Sequence, residues 1–261
     1  MSAHGGEPLA TPEGPGIPVP GSALVIAAHP DDAEFQCGAT LASFARQGCE
    51  VHHLVLTDGS KGTWDPDCDR IALVERRRDE QREAARRLGA GGEVLFLDRV
   101  DGELAADDVT VGEVAAVIRR LRPRVVLSHD PWRRYRLHPD HEVAGRVAVR
   151  AVVAARDPFF YPDQLGAGLH THRPDTLLLF EPDEVNHLQV VSEADLQAKL
   201  SALEAHESQL ETTHFYRLDE PGSRALALEQ FRSRERARLS EVEGAPGGGL
   251  VEVFHLLAEQ L

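Results

Sequence analysis

Short apolar runs that alternate with longer segments of helical period are the feature that most constrains the fold of this chain. Several runs are continuously apolar and β-branched, which is typical of strands covered on both faces. The alternation predicts an α/β fold with a mostly parallel central sheet and right-handed crossovers. The predicted strands are Leu24–Ala28, Val51–Thr57, Val94–Leu97, Arg124–His129 and Thr176–Glu181, and the predicted helices are 36–47, 69–88, 109–121 and 140–155.

Length and composition indicate one globular domain. The chain has 261 residues, of which 42% are apolar and 27% charged, enough to bury a sizeable core. We expect a disordered, Gly- and Pro-rich extension over residues 1–22 and a single domain over 23–261. The apolar stretches are too short to span a membrane. Residues 1–22 lack the layout of a secretory signal, so a cytoplasmic location is expected.

The charge and the cysteines exclude several classes of function. A formal net charge of −15 argues against non-specific binding to nucleic acid or to an anionic membrane, because both need a basic surface. Cys37, Cys49 and Cys68 form no CxxC pair, which argues against a disulfide framework or a Cys-based zinc finger.

Two His- and Asp-rich stretches follow the first and fourth predicted strands. "AHPDD" ends the first strand, and "HDPWRRYRLHPDH" ends the fourth. With the common strand order 3-2-1-4-5, these two strands are neighbours at the point where the order reverses. Ligands of open α/β sheets bind there, beyond the carboxyl ends of the strands. We therefore expect the two stretches to meet at one crevice.

A divalent cation would explain why Asp31 and Asp32 stand side by side, because it offsets the repulsion between their carboxylates. Zinc accepts imidazole nitrogen and carboxylate oxygen, and His29 and Asp32 are spaced so that both side chains can converge on one ion. "HPDH" at 138–141 offers candidates for a third ligand, since Pro139 suits the first turn of a helix. An ordinary polar turn is the alternative meaning of "HPDD" taken alone.

A family resemblance rests on five motifs in this order: "AHPDDAEFQCGATL", "LTDGSKGT", "RRDEQREAARRLG", "FLDRVDGEL" and "HPDH". Together they resemble the LmbE/PIG-L family of zinc-dependent de-N-acetylases over roughly residues 23–145. The resemblance implies a Rossmann-like three-layer α/β fold. It also implies that residues 23–261 form a single de-N-acetylase-like catalytic domain.

The same resemblance implies a role for each matching residue. His29, Asp32 and His141 would be the zinc ligands, with Asp31 as the general base. His138 would assist the tetrahedral intermediate or protonate the leaving amine, with Asp140 holding its imidazole. Arg77 and Asp101 would contact substrate hydroxyls. Tyr135, from its place between the fourth strand and HPDH, is a candidate oxyanion donor.

The predicted function is zinc-dependent removal of an N-acetyl group from a small-molecule N-acetylglucosamine-type conjugate, with Fe²⁺ or another divalent metal as the alternative ion. Two enzyme alternatives stay open: an amidase of the mycothiol-conjugate type, and a non-haem Fe(II) enzyme using the same two histidines and one carboxylate. A nucleotide-binding module fits less well, because the first strand is not followed by G-x-G-x-x-G. A homo-oligomer is open, since the apolar segment 250–257 could be a core strand or an interface.

Overall fold

A computed structural model describes residues 16–215, 223–242, 245, 249–258 and 261. Within them lies one seven-stranded sheet with the order β3-β2-β1-β4-β5-β7-β6. Neighbours from β3 to β5 are parallel, while β7 is antiparallel to both β5 and β6. The predicted order of the first five strands is confirmed, and 250–257 is a core strand. The strands are β1 Ser22–Ala27, β2 Glu50–Thr57, β3 Val94–Arg99, β4 Val125–His129, β5 Thr176–Phe180, β6 His187–Val191 and β7 Leu250–Leu257.

Helices cover both faces of the sheet, which makes the fold three-layered as predicted. Helices α1, α2 and α6 pack together on one face, and α3 packs with α4 on the other. No helix within the described residues has the length and apolar character needed to span a membrane. The helices are α1 Asp32–Arg46, α2 Arg70–Leu88, α3 Asp108–Leu121, α4 Pro139–Arg156, α5 Pro162–Gly166, α6 Glu193–Leu203 and α7 Arg224–Ser240. A 3₁₀ turn Glu207–Gln209 and a π turn Leu210–His214 stand between the last two.

Strand β1 lies inside the sheet, between β2 and β4, and contributes to both hydrophobic cores. Leu24 and Ile26 pack into the core on the α3–α4 face, and Val25 and Ala27 pack into the core beneath α1. Successive side chains of a strand point to opposite faces, so a strand covered on both sides is apolar at every position. This burial explains the uninterrupted apolar run from Ala23 to Ala28, and His29 is the first polar residue after it.

Local capping sets the two ends of α2. The side chain of Asp69 accepts hydrogen bonds from the backbone N–H groups of Ile71 and Ala72, which satisfies two of the free donors of the first turn. At the other end Gly89 follows in the left-handed conformation, a common helix stop. The predicted bounds 69–88 therefore agree with the structure.

Two boundaries differ from the sequence predictions by more than two residues. Helix α1 begins at Asp32 rather than at residue 36, with a break at Cys37, whose φ and ψ are −143° and 18°; the sequence pattern revealed only the part beyond the break. The predicted disordered extension does not reach residue 22. The backbone N–H of Ile17 donates to Oε1 of Gln189 over 3.0 Å, and Pro20 is buried. Residues 1–15 of that extension lie outside the described residues.

Candidate metal centre

The turn between β1 and α1 places two aspartates in different environments. Asp32 opens α1, and its Oδ2 accepts a hydrogen bond from the backbone N–H of His29 over 2.8 Å. Asp31 has a φ of +96°, a conformation that residues with a Cβ rarely adopt. The left-handed conformation of Asp31 turns the chain abruptly from β1 into α1. The carboxylates of Asp31 and Asp32 therefore point in different directions.

The start of α4 brings His141 to this turn. Gly145, one helical turn later, lies so close to the end of β4 that an added Cβ would stand 2.4 Å from the carbonyl oxygen of His129. This close approach carries Nε2 of His141 to 3.2 Å from Oδ1 of Asp32. The other oxygen of Asp32 lies 3.3 Å from Nδ1 of His29. The three side chains predicted as ligands are thus brought together from two distant segments.

The donor atoms of this cluster have the spacing of a metal site. Ligand atoms of His29, His138 and His141 lie within 4.8 Å of one another, and so do those of Asp32, His129 and His141. Imidazole nitrogens and carboxylate oxygens at these separations suit zinc, and histidines with one carboxylate also suit other divalent metals. Buried polar atoms without a partner, Nδ1 of His129 and Oδ2 of Asp31, also point to a missing group. The residues present therefore fit a divalent cation.

The electrostatics of the cluster favour a cation as well. Burial alone would lower the pKa of His29, but the carboxylates of Asp101, Asp140 and Asp32 outweigh it and raise this pKa well above its usual value. Burial would raise the pKa of Asp101, yet His29 and the N–H of Lys61 hold it at about 2. A bound cation would add positive charge among these carboxylates.

Asp101 and Asp140 both contact the ring of His29. Nε2 of His29 lies 3.2 Å from Oδ1 of Asp101 and 3.1 Å from Oδ2 of Asp140. The carboxylate of Asp140 also accepts from the backbone N–H groups of Gly102 and Leu104. Ligand atoms of Asp140 and His138 also lie within 4.8 Å of each other, so the expectation that Asp140 holds the His138 imidazole stays a prediction. Asp101 bonds to His29 rather than standing free for a hydroxyl.

Asp31 and Arg77 lie beside the cluster. Burial raises the pKa of Asp31 to about 6, although Arg77 acts against this rise; Nη2 of Arg77 is 3.8 Å from Oδ2 of Asp31. The guanidinium of Arg77 is itself buried and donates to the carbonyl oxygens of Gly59 and Pro30, each over 2.8 Å. Arg77 was expected to contact substrate hydroxyls. The structure instead places it against the backbone of the turn.

Tyr135 stands away from the cluster, contrary to its predicted place as an oxyanion donor. Its side chain is 93% exposed, and its left-handed backbone, with a φ of 58°, turns the following residue inward instead. That residue, Arg136, forms an ion pair with Glu181 and places Nη1 3.2 Å from Nδ1 of His141. The sequence assigned no role to Arg136, which stands in the stretch between β4 and HPDH.

His129 is the second residue that sequence reasoning missed. It ends β4, is fully buried, and stacks on the ring of His141 with centroids 4.4 Å apart. Its Nε2 accepts from the backbone N–H of Ala28 over 3.3 Å and lies 3.4 Å from Oδ2 of Asp32. A signal was present, since His129 is the first residue of the stretch that follows the apolar run. Its burial as a strand residue was the simpler interpretation.

Comparison with known proteins identifies the family. Residues 24–152 match the family described as PIG-L, GlcNAc-PI de-N-acetylase. The diacetylchitobiose deacetylase of Thermococcus kodakarensis is 36% identical over 205 residues, which cover 78% of this chain and 76% of that protein. The chain belongs to the PIG-L family.

Two further PIG-L relatives agree in sequence and in fold. A 1D-myo-inositol 2-acetamido-2-deoxy-alpha-D-glucopyranoside deacetylase of Streptomyces avermitilis is 36% identical over 165 residues, which span 54% of the present PIG-L chain and about half (55%) of that relative. The N,N'-diacetylchitobiose deacetylase of Pyrococcus horikoshii, solved with an inhibitor, superposes with a TM-score of 0.79 at 26% identity. The superposition covers 92% of this chain and 84% of that one.

Proposed function

We propose that this PIG-L protein is a zinc-dependent hydrolase that removes the acetyl group from the 2-amino group of an N-acetylglucosamine-type conjugate. The relatives named above are deacetylases of such sugars, and the donor cluster supports a metal-assisted hydrolysis. Residues 23–261 form the single catalytic domain in this proposal. The amidase of the mycothiol-conjugate type would use the same residues and differ in the amide that it cleaves.

His29, Asp32 and His141 would hold the ion. A bound zinc ion would supply a Lewis acid for the amide carbonyl and lower the pKa of a bound water to about 7. Asp101 and Asp140 fix the orientation of the His29 ring through the contacts described above. Such outer partners of a metal ligand set its ring orientation and basicity.

The single observation that carries the proposal is the separation of Asp31 from Asp32. Asp32 contacts the histidines of the cluster, whereas Oδ2 of the buried Asp31 has no hydrogen-bond partner. A carboxylate beside the ligands but not among them can accept a proton from the attacking water. The water oxygen then bonds to the acyl carbon. The proton accepted by Asp31 passes to the leaving nitrogen through His138, which is exposed at the edge of the cluster, and the C–N bond then breaks to give acetate and the protonated amine.

The test measures amine and acetate release from a panel of N-acetylglucosaminides, with added zinc and with chelator. We expect zinc-dependent release from the unaltered protein. Asp31→Asn should keep its zinc content and lose about 10²–10⁴-fold in kcat, the usual contribution of a positioned general base. Asp79→Asn, which changes an exposed aspartate of α2, is the matched control.

Three outcomes would contradict the proposal. Release that persists after complete removal of metal would exclude the metal-assisted mechanism. Asp31→Asn with full zinc content and the kcat of the Asp79→Asn control would exclude Asp31 as the base. Oxygen consumption with ferrous ion, in place of amine release, would favour the non-haem iron alternative.

A further inference from the structure

The peptide group that joins Pro30 to Asp31 is held at both of its polar atoms by one helix. Its carbonyl oxygen accepts a hydrogen bond from Nη2 of Arg77 over 2.8 Å. Its N–H donates to Oε1 of Gln81 over 3.0 Å. Both side chains come from α2 and are almost completely buried, with 3% exposure for Arg77 and none for Gln81. Residues four apart lie on the same face of a helix, so a single face of α2 grips this peptide.

Holding both atoms fixes the rotation of the peptide plane. In a trans peptide the C=O and N–H groups point in opposite directions across a rigid plane. Any rotation of that plane about the N–Cα bond of Asp31 changes φ at Asp31 and would break at least one of the two bonds. The φ of +96° is unfavourable for a residue with a Cβ and persists only where its surroundings enforce it. Arg77 and Gln81 supply the two hydrogen bonds that hold the peptide on the N-terminal side of Asp31.

The orientation of the Gln81 amide is itself determined by a buried carboxylate. Nε2 of Gln81 donates to Oε1 of Glu34 over 2.8 Å, and Glu34 is fully buried. A flipped amide would set its oxygen against this carboxylate and its NH₂ against the N–H of Asp31. The oxygen of Gln81 must therefore face Asp31. His53 and His206 flank the same carboxylate at 3.6 and 3.5 Å, which keeps Glu34 in place.

We propose that Gln81 is a positioning residue: with Arg77 it clamps the Pro30–Asp31 peptide and so holds the Asp31 carboxylate beside the metal ligands rather than among them. The proposal rests on the proposed function, in which Asp31 is the general base. Gln81 touches the backbone of Asp31 and not its carboxylate. Gln81 therefore affects catalysis only by setting the backbone conformation of Asp31, which determines where the Asp31 carboxylate points.

The decisive variant is Gln81→Met, which keeps the length of the side chain and removes both hydrogen bonds. We expect unchanged zinc content, a KM within about twofold of the unaltered protein, and a kcat lower by about 10²-fold, because a misplacement of about 1 Å at a reacting group has an effect of this size. Gln164→Met is the matched control. Gln164 also bridges two groups, accepting from Arg119 and donating to the carbonyl of Gly112, but it lies in α5, near the far end of α4.

A second measurement does not depend on activity. Hydrogen exchange followed by NMR should show the Asp31 amide protected in the unaltered protein, although it lies in a turn. In Gln81→Met its exchange should be about tenfold faster, as the loss of one hydrogen bond predicts. An unprotected Asp31 amide in the unaltered protein would overturn the clamp, even if the variant did not fold.

The outcomes separate the two proposals. If the unaltered protein releases no amine from any sugar of the panel, the proposed function fails. Hydrogen exchange of the Asp31 amide then tests by itself whether Gln81 holds the Pro30–Asp31 peptide. If the unaltered protein is active and Gln81→Met matches the Gln164→Met control in kcat, the positioning role is wrong. A Gln81→Met protein that loses its zinc would also contradict the proposal, because the metal ligands themselves are untouched.

Discussion

A buried ion pair supports the break in α1, and its removal should destabilise the whole fold. Nζ of Lys199 donates to the carbonyl oxygen of Phe35 and to Oε1 of Glu252, each over 2.8 Å. The carboxylate of Glu252 accepts from the backbone N–H groups of Ala39 and Thr40. In a regular helix the Phe35 carbonyl would accept from the N–H of Ala39. The pair therefore supplies hydrogen-bond partners to the backbone on both sides of the break at Cys37.

The perturbation is Glu252→Gln, which keeps the shape and removes the charge. Both charged side chains are about 2–3% exposed, and loss of one member of such a buried pair costs about 3–5 kcal/mol, because the other charge is left uncompensated. The amide oxygen can still accept one backbone N–H, so we expect the lower end, about 3 kcal/mol. The unfolding entropy of a chain of 261 residues is about 0.5 kcal/mol per kelvin, which translates this loss into a Tm lower by about 6 °C.

The assay is urea and thermal unfolding of Glu252→Gln, Lys199→Met and the double variant. Removing both charges should cost at least about 1 kcal/mol less than the two single losses together, since neither charge is then left alone. Arg236→Gln, which opens the exposed pair with Glu193, is the control and should leave the Tm unchanged. A Glu252→Gln protein destabilised by less than 1 kcal/mol, or strictly additive single losses, would refute the reasoning.

Three further predictions concern the metal and the buried histidines. Chelation should lower the Tm by several degrees and added zinc should restore it, because an ion at a thousandfold excess over its Kd stabilises the native state by about 4 kcal/mol; a Tm indifferent to chelator would contradict the metal site. His129→Phe should weaken zinc binding about 10–100-fold in a competition titration, since His129 contacts Asp32 and the loss of such a neighbour has this effect; unchanged affinity would show that His129 only fills space. Burial lowers the pKa of His214 to about 3. Between that value and about 6.5 the unfolded chain binds a proton that the native state does not, so the free energy of unfolding should fall as the pH decreases, by up to about 1.4 kcal/mol per pH unit. His214→Phe should reduce this slope in urea titrations, and equal slopes for both proteins would contradict the assignment.

The fold was accessible from the sequence because burial on both faces leaves a strong mark. Strands β1, β4 and β5 are buried at nearly every position. A strand buried on both faces is a nearly continuous apolar run in the sequence, which makes it easy to recognise. The break in α1 was not accessible, because its partners are Lys199 and Glu252, which are distant in sequence. Nothing in the local sequence around Glu252 indicates that its carboxylate accepts hydrogen bonds from the backbone of α1.

The site was predictable where its geometry is local and unpredictable where it depends on direction. Spacing and strand order brought His29 and Asp32 together with candidates from HPDH, the family resemblance selected His141, and the structure brings the three side chains together. Tyr135 and Arg136 are adjacent in sequence, and only the left-handed backbone at Tyr135 decides which of them faces His141. Such a choice depends on backbone angles that the composition of the loop does not determine.

The two roles assigned to Asp31 and Asp32 require that neighbouring side chains diverge, and the reason for the divergence lies outside the turn. A turn containing Pro30 could equally leave Asp31 in an ordinary conformation, with its carboxylate competing for the ion. What prevents this is a peptide held by two residues of α2, which begins some forty residues further along the chain. A φ of +96° on a residue with a Cβ persists only where the surroundings enforce it. Loss of Gln81 should therefore remove the separation of base from ligand although no metal ligand is altered.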